Sequence, residues 1–302
     1  MHKAVASGAG FANSSGRWAP LDPANQEDAE LPAPAIIDTP STQNEGPHEI
    51  WCESAGICLR AHIWHADAAR KPIVFLNGIG SSLEIAQPLA RQFRNRPFVA
   101  LEMPGAGQTP LSPFPLAPAS LARIAVRCLE QAGLRRFILM GLSLGGALAQ
   151  QIAIQYRGRV DRLILAGTCS GTTMLPADWT EASLWRTLNP FAALMDDLIS
   201  DLANAHVRGV AMANTPAMLA QFAPFMGWSS LCFLPMIEAQ TLVLAGSRDR
   251  IIPPKNAVQL SAFIRRADHR ILPDAGHLFP FTEPERTASH IERFLQPGRT
   301  VD

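Results

Sequence analysis

The sequence lacks the features that would direct it to a membrane or a nucleic acid. No stretch approaches the roughly 18 consecutive apolar residues of a transmembrane helix. The 26 basic residues are balanced by 26 acidic ones, so no net charge favours a nucleic acid or an anionic lipid surface as partner. Residues 1–16 contain no continuous apolar segment, and we therefore do not expect a secretory signal.

Paired cysteines and cofactor motifs are also missing. None of the five cysteines belongs to a Cys-x-x-Cys pair, and only Cys52 and Cys58 lie close enough in sequence to suggest a bridge. We expect reduced thiols in a cytoplasmic protein, with the remaining cysteines as small core residues. No glycine-rich stretch has the context of a dinucleotide or phosphate loop, and no His, Cys and Asp cluster has metal-ligand spacing. The sequence therefore predicts no cofactor and no metal.

What the sequence does contain is enough apolar residues for a large core. The chain has 302 residues, of which 47% are hydrophobic, as expected for one large α/β domain or one domain with an insertion. Residues 1–46 differ from the rest, because they are rich in Ala, Gly, Ser, Asn and Pro and have no sustained apolar periodicity. We expect them to form a flexible leader.

Short apolar strands alternate with helices through most of the chain. A hairpin is predicted around a turn at residues 54–56, and the later strands lie in KPIVFL, FVALEM, RRFILM, VDRLILA, QTLVLA and HRILP. Helical periodicity is clearest in residues 121–133 and 283–295. The alternation predicts a mostly parallel sheet with helices on both faces, formed by residues 47–170 and 236–302. Ligands of such sheets bind beyond the carboxyl ends of the strands.

Residues 171–235 interrupt this alternation. Roughly 65 residues between two strands are too many for an ordinary connection, and this segment is rich in tryptophan, phenylalanine and methionine. We interpret it as a helical cap over the strand ends, whose large side chains mostly pack against the core. A few should line an apolar cavity. We take Phe225 and Trp228 of this segment, with Leu278 outside it, as candidate substrate-pocket residues.

The stretch GLSLG, residues 141–145, contains a candidate nucleophile. It fits the Gly-x-Ser-x-Gly pattern, in which a serine holds a strained turn between a strand and a helix, and larger residues two positions away would collide. The apolar RFILM precedes it and the helical GGALAQQIAIQY follows it, as the pattern requires. The alternative is a tight turn that serves packing alone, which would not explain the histidine and the aspartate that follow later strands in the right order. We therefore predict that Ser143 is the nucleophile.

A serine hydroxyl needs a base, and the base needs a carboxylate to orient it. Of the eight histidines, only His277 follows a strand near the C-terminus, in the loop DAGHLF. Asp249 follows the preceding strand, which gives the chain order Ser, Asp, His known for this arrangement. Asp274 is too close in sequence to His277 for a side-chain pair, and Asp268 belongs to the other end of the last strand. We therefore predict that Asp249 is the carboxylate that orients His277.

A tetrahedral oxyanion needs backbone N–H donors. The amide of Leu144, directly after the nucleophile, should be one of them. The second should come from the loop NGIG after the strand PIVFL, and we choose the amide of Ile79. Gly78 and Gly80 would let the backbone approach the substrate closely.

These motifs resemble the α/β-hydrolase superfamily and, within it, the intracellular depolymerases of medium-chain-length poly(3-hydroxyalkanoates). The likeness covers residues 71–295 and rests on FLNGIG, PGAG, GGALAQQ, LAGT, GWSS, QTLVLAG and DAGHLF. It implies a serine hydrolase that cleaves ester bonds of a hydrophobic 3-hydroxyacyl polyester through an acyl-enzyme. Ser143, Asp249 and His277 match the triad of the family. The resemblance also implies a cytoplasmic protein whose partner is this ester or polyester, at the surface of a storage granule.

The sequence departs from these depolymerases in ways that bear on the substrate. Leu144 stands where the depolymerases have tryptophan, Glu102 stands where many relatives have aspartate, and the leader has no counterpart. Other activities of the fold stay open: acyl transfer, thioester or small-ester hydrolysis, carbon–carbon bond hydrolysis and cofactor-free haloperoxidation. A non-catalytic binding protein is a further alternative, and the intact triad in the correct order argues against it.

Overall fold

The computed structural model of the protein describes residues 46–176 and 214–296. The predicted leader, residues 1–46, lies outside the described residues apart from Gly46. The predicted cap, residues 171–235, is described only at its two ends, because residues 177–213 also lie outside. Among the described helices, none has the combination of length and apolar character that a membrane span requires.

The described strands form one sheet of eight with the order β1-β2-β4-β3-β5-β6-β7-β8. The strands β1 and β2 form a hairpin, β2 pairs with β4 in antiparallel orientation, and all other neighbours are parallel. The strands are β1 His48–Ser54, β2 Ile57–Trp64, β3 Ile73–Leu76, β4 Phe98–Leu101, β5 Phe137–Leu142, β6 Val160–Ala166, β7 Gln240–Gly246 and β8 Ala267–Leu272.

Helices cover both faces of this sheet. They are α1 Gln87–Ala90, α2 Pro118–Gln131, α3 Leu144–Gln155, α4 Thr215–Phe222, α5 Lys255–Phe263, α6 Phe279–Thr282 and α7 Pro284–Leu295. Successive side chains of a strand point to opposite faces, so Val74 and Leu76 pack with residues of α2, α3 and α5, whereas Ile73 and Phe75 pack with residues of α1, α6 and α7. The predicted mostly parallel sheet with helices on both faces is confirmed.

The five cysteines have free thiols, as the sequence predicts. Cys52 of β1 is buried whereas Cys58 of β2 is exposed. In the hairpin Cys52 lies opposite Leu59, so Cys58 points to the other face of the ribbon and does not meet Cys52. Cys232 is also exposed, which corrects its prediction as a core residue. The apolar character of a thiol does not fix the face on which the backbone places it.

The two segments at which the chain enters and leaves the predicted cap lie side by side. Gly171 and Ser229 form an antiparallel bridge, and the Ser229 hydroxyl donates to the carbonyl of Ser170 at 2.8 Å. Ser230 donates to Gln150 of α3 at 2.6 Å. The side chain of Asn256 of α5 bonds both the amide and the carbonyl of Leu175, at 2.7 and 2.9 Å. The GWSS motif therefore joins the two ends of the cap to each other and to the core.

Candidate active site

Ser143 lies between β5 and α3 in a strained backbone conformation. Its φ is 54° and its ψ is −121°, a region that residues with a side chain rarely adopt. The amide of Ser143 donates to the carbonyl of Ala166 at the end of β6, at 3.0 Å, so the turn is fixed to the neighbouring strand. This is the conformation that presents a serine hydroxyl above the carboxyl edge of the sheet.

The glycines around Ser143 leave room for this turn. A Cβ atom on Gly141 would lie 2.3 Å from the carbonyl oxygen of Gly145, and one on Gly145 would lie 2.2 Å from the carbonyl oxygen of Leu76. A Cβ on Gly146 would lie 2.6 Å from the Cβ of Thr168. All three distances are shorter than any real contact, so the strand, the elbow and the helix pack this closely only without side chains at these positions.

We expect Gly145→Ala to destabilise the protein by roughly 3 kcal/mol, because the methyl group meets rigid backbone carbonyls rather than movable side chains. The measurement is the free energy of unfolding from urea titration. Gly158→Ala is the matched control, since a Cβ there has nothing within 4 Å and its φ is not positive. The control should change the free energy by less than about 0.5 kcal/mol. Equal effects of the two substitutions would contradict the steric account.

His277 and Asp249 form a buried pair at the ends of β8 and β7. The distance from His277 Nδ1 to Asp249 Oδ2 is 2.8 Å, and the side chains are 3% and 0% exposed. The other carboxylate oxygen, Oδ1, accepts the backbone amides of Ile251 and Ile252 at 2.9 and 2.8 Å. With the carboxylate as acceptor, Nδ1 carries the shared proton, so Asp249 fixes both the orientation and the tautomer of the ring.

Gly167 connects this pair to the serine. It follows Ala166, the residue whose carbonyl holds the amide of Ser143. A Cβ on Gly167 would lie 3.2 Å from His277 Nδ1 and 3.4 Å from Asp249 Oδ2, and its φ is +48°. The histidine and the aspartate therefore pack against the backbone that follows β6, next to the elbow. The structure brings the three residues of the predicted triad to one edge of the sheet.

Asp274 and Asp268, which the sequence excluded as partners of His277, form ion pairs with arginines instead. Asp274 is 76% exposed and pairs with Arg248 at 2.6 Å. Asp268 lies at the second position of β8, near the opposite edge of the sheet, and pairs with Arg270 at 2.5 Å. Both carboxylates thus form ion pairs with nearby arginine side chains.

The peptide bond after the nucleophile is held by Thr168, which the sequence analysis missed. The Thr168 hydroxyl donates to the carbonyl oxygen of Ser143 at 2.8 Å, and the amide of Gly146 donates to the same oxygen at 2.9 Å. In a trans peptide the carbonyl and the following amide point in opposite directions. These bonds therefore fix the direction of the Leu144 N–H, the first predicted oxyanion donor. The only signal in the sequence was the position of Thr168 just after a strand.

The loop after β3 supplies the second predicted donor. A Cβ on Gly78 would lie 3.5 Å from the Cβ of Ser143, so this loop adjoins the nucleophile. The amide of Gly80 is engaged, because it donates to the side chain of Gln221 at 2.8 Å. Within the described chain, the amides of Ile79 and Leu144 have no acceptor. The two N–H groups chosen as donors are thus available to an oxyanion.

Glu102 links the loops that follow β3 and β4. Its side chain is 0% exposed, and it accepts the amide of Leu83 at 3.2 Å and both the amide and the hydroxyl of Thr109 at 3.0 Å. Burial raises the pKa of Glu102, against the hydrogen bonds from Thr109 and the charge of Arg60. A Cβ on Gly107 would lie 1.9 Å from Glu102 Oε1. A glutamate side chain, which is longer than aspartate, therefore fits at position 102 because residue 107 is glycine.

The candidate pocket residues lie in two apolar clusters. The rings of Phe225 and Trp228 meet edge to face at 5.6 Å, and Trp228 Nε1 donates to Gln151 at 3.0 Å. Leu278 is 3% exposed and packs in the cluster on the other side of the sheet. Leu144 is partly buried against both clusters. The structure brings Phe225 and Trp228 together and places Leu278 in a different cluster, so the pocket assignment stays a prediction.

Cys169 lies near Asp249 but has no role in the proposed chemistry. Burial raises the pKa of Cys169 to about 11, so the group stays a neutral thiol at physiological pH and is a weak nucleophile. Over residues 46–176 and 214–296, no three His, Cys, Asp or Glu side chains form a group that would hold a metal ion.

Comparison with known proteins identifies the family of this chain. The sequence profile of the alpha/beta hydrolase family matches residues 73–290. A poly(3-hydroxyalkanoate) depolymerase of Ectopseudomonas oleovorans is 33% identical over 242 residues, which are 76% of this chain and 85% of that protein. A 2-hydroxymuconate semialdehyde hydrolase of Pseudomonas putida is 26% identical over 245 residues, 74% of this chain and 86% of that protein.

Solved structures show the same fold. A thermophilic esterase from Thermogutta terrifontis superposes with a TM-score of 0.67 and 22% identity, over 82% of this chain and 98% of that one. The family profile covers the sheet from β3 onward and both the elbow and the histidine loop. Together with the depolymerase relative, this match shows that the chain belongs to the alpha/beta hydrolase family.

Proposed function

We propose that the protein is a serine hydrolase that cleaves ester bonds of a hydrophobic 3-hydroxyacyl polyester through an acyl-enzyme. The observation that carries the proposal is the buried 2.8 Å contact between His277 and Asp249, at the sheet edge where Ser143 adopts a φ of 54°. The relative named as a poly(3-hydroxyalkanoate) depolymerase supports the substrate class.

In the first half of the reaction, the Ser143 hydroxyl oxygen attacks the ester carbonyl carbon. His277 takes the hydroxyl proton on Nε2, because Nδ1 is bound to Asp249, which also stabilises the imidazolium that forms. The carbonyl oxygen becomes negative and accepts hydrogen bonds from the amides of Ile79 and Leu144. The ester C–O bond then breaks, and His277 returns its proton to the leaving alkoxide. The chain end departs as an alcohol and the acyl group stays on Ser143.

In the second half, water replaces the alcohol. His277 removes a proton from the water as the oxygen attacks the acyl carbon, and the same two amides hold the second oxyanion. The bond between the acyl carbon and the Ser143 oxygen breaks, and that oxygen regains the proton from His277. The product is a free 3-hydroxy acid or a shortened oligomer.

The apolar side chains at the site support a hydrophobic acyl group. Ile79 and Leu144, whose amides would bind the oxyanion, and Leu278, next to the base, all have apolar side chains. Met218 of α4 packs against Gly80 in the same loop, where a Cβ would lie 3.0 Å from Met218 Cγ. A hydrocarbon chain leaving water gains roughly 0.8 kcal/mol for each buried CH₂ group, so such surroundings favour a medium-chain acyl group.

The test is hydrolysis of a latex of medium-chain-length polyester by the purified full-length protein. We expect the turbidity to fall and 3-hydroxy acids to appear, and Ser143→Ala to stop both. Rapid turnover of short p-nitrophenyl esters without clearing of the latex would contradict the polymer assignment and leave a small-ester hydrolase. An acyl product that appears only when an alcohol or thiol acceptor is added would instead indicate a transferase.

A further inference from the structure

Gln221 of α4 joins the two loops that border the nucleophile. This residue is 5% exposed; its Oε1 accepts from the amide of Gly80 at 2.8 Å, and its Nε2 donates to the carbonyl of Pro104 at 3.1 Å. The first partner is only a donor and the second only an acceptor, which fixes the orientation of the side-chain amide. One buried amide therefore holds the loop after β3 and the loop after β4 from the side of the predicted cap.

The loop after β3 has few other restraints near the predicted oxyanion donor. Ile79 lies between two glycines, and Gly80 has a φ of +69°. The turn bond from the amide of Ser81 to the carbonyl of Gly78 is long, at 3.4 Å, and so is the bond from the Ser81 hydroxyl to the carbonyl of Ile79, at 3.5 Å. The bond from Gln221 fixes the peptide between Ile79 and Gly80, and thereby limits the rotation of the preceding peptide, which carries the Ile79 N–H.

We propose that Gln221 is a positioning residue that aims the Ile79 amide at the oxyanion and keeps the Gly80 amide away from it. The proposal rests on the proposed function, because it needs an oxyanion at Ser143. Because Gln221 lies on α4, fast acylation would require that α4 is correctly packed. Both hydrogen bonds of the Gln221 side chain go to backbone atoms of the two loops, so it acts through the backbone.

Gln221→Met tests the proposal, because methionine keeps the length of the side chain and loses both hydrogen bonds. We expect kcat for a p-nitrophenyl ester to fall roughly tenfold to hundredfold, since loss of a whole oxyanion donor costs about 10² to 10³ in kcat. KM should change little, and the rate at which a fluorophosphonate labels Ser143 should fall with kcat.

Gln259→Met is the matched control. Gln259 of α5 also uses both ends of its amide to hold the cap segment, since it accepts from the Ser170 hydroxyl at 3.0 Å and donates to the carbonyl of Thr173 at 3.4 Å. It touches neither the loop after β3 nor the loop after β4. If Gln221 only stabilises the fold, the two variants should lose stability and activity in parallel. If it positions the oxyanion loop, only Gln221→Met should lower kcat.

Gln221→Glu adds a pH signature that a purely structural role would not give. A protonated glutamic acid accepts from Gly80 and donates to Pro104, whereas the ionised form loses the donor and buries a charge. The ratio of its kcat to that of the unchanged protein should therefore rise as the pH falls. A ratio that does not change with pH would overturn the positioning role, and so would a kcat of Gln221→Met equal to that of the unchanged protein. Neither result would bear on the proposed function. If the unchanged protein hydrolyses no ester, the proposed function falls with it.

Discussion

Ser143→Ala should reduce kcat for ester hydrolysis by a factor on the order of 10⁵, because loss of the nucleophile from a triad removes nearly all of its catalysis. The substitution removes one hydroxyl oxygen and leaves the bond from the amide of residue 143 to Ala166 in place. The residual rate should reflect only the oxyanion donors and substrate binding. Initial rates with a p-nitrophenyl ester, at equal concentrations of folded protein, measure the effect.

Ser261→Ala is the control for this prediction. Ser261 lies near the C-terminal end of α5, where its hydroxyl donates to the carbonyl of Val258 at 3.0 Å. Because α5 runs back along the sheet, this serine is at the edge opposite the elbow. Its replacement should leave kcat unchanged. A Ser143→Ala protein that retained a substantial share of the rate would contradict the assignment of the nucleophile.

Asp249→Asn should reduce kcat by roughly 10⁴-fold at neutral pH. The side-chain oxygen of asparagine can still accept the amides of Ile251 and Ile252, so the loop keeps its shape. Its NH₂ group then faces His277 Nδ1 as a donor, which makes Nδ1 an acceptor and leaves the ring proton on Nε2. A ring in that tautomer does not take the proton of Ser143. Rates from pH 6 to pH 9, with circular dichroism to confirm folding, measure the change.

Asp274→Asn is the matched control, because Asp274 lies in the same loop as His277 and is 76% exposed. It loses one carboxylate charge near the site without touching the ring of His277. We expect its rates to equal those of the unchanged protein. A comparable loss of activity in both variants would indicate that the general charge of the loop matters, rather than the bond between Asp249 and His277.

The positions of the triad residues could be predicted because each is marked by residues close to it in sequence. Each residue follows an apolar strand, and strand ends of a parallel sheet meet at one edge. The glycines around Ser143 avoid collisions with backbone a few residues away or in the adjacent strand. The Gly-x-Ser-x-Gly pattern therefore predicts the turn by itself. The sheet, its hairpin and its helices follow from periodicity in the same way.

The residues that hold the site could not be predicted because they act over long distances in sequence. Gln221 and Gly80 are separated by 141 positions, and no local pattern brings them together. Thr168 acts on the carbonyl of Ser143 from the loop after β6, 25 positions away. Glu102 and Gly107 are close in sequence, but no local pattern shows that the carboxylate occupies the space beside this glycine, since the contact forms only when the loop after β4 is folded. Such contacts are set by tertiary packing rather than by propensity.

Ser143, activated by His277, should form a covalent acyl intermediate. Its most direct test is reaction of the full-length protein with a fluorophosphonate, followed by proteolysis and mass spectrometry of the labelled peptide. We expect one adduct per chain, on Ser143, and a much slower reaction in the Asp249→Asn protein. An adduct on another residue, or no adduct in a protein that is folded and hydrolyses esters, would contradict it.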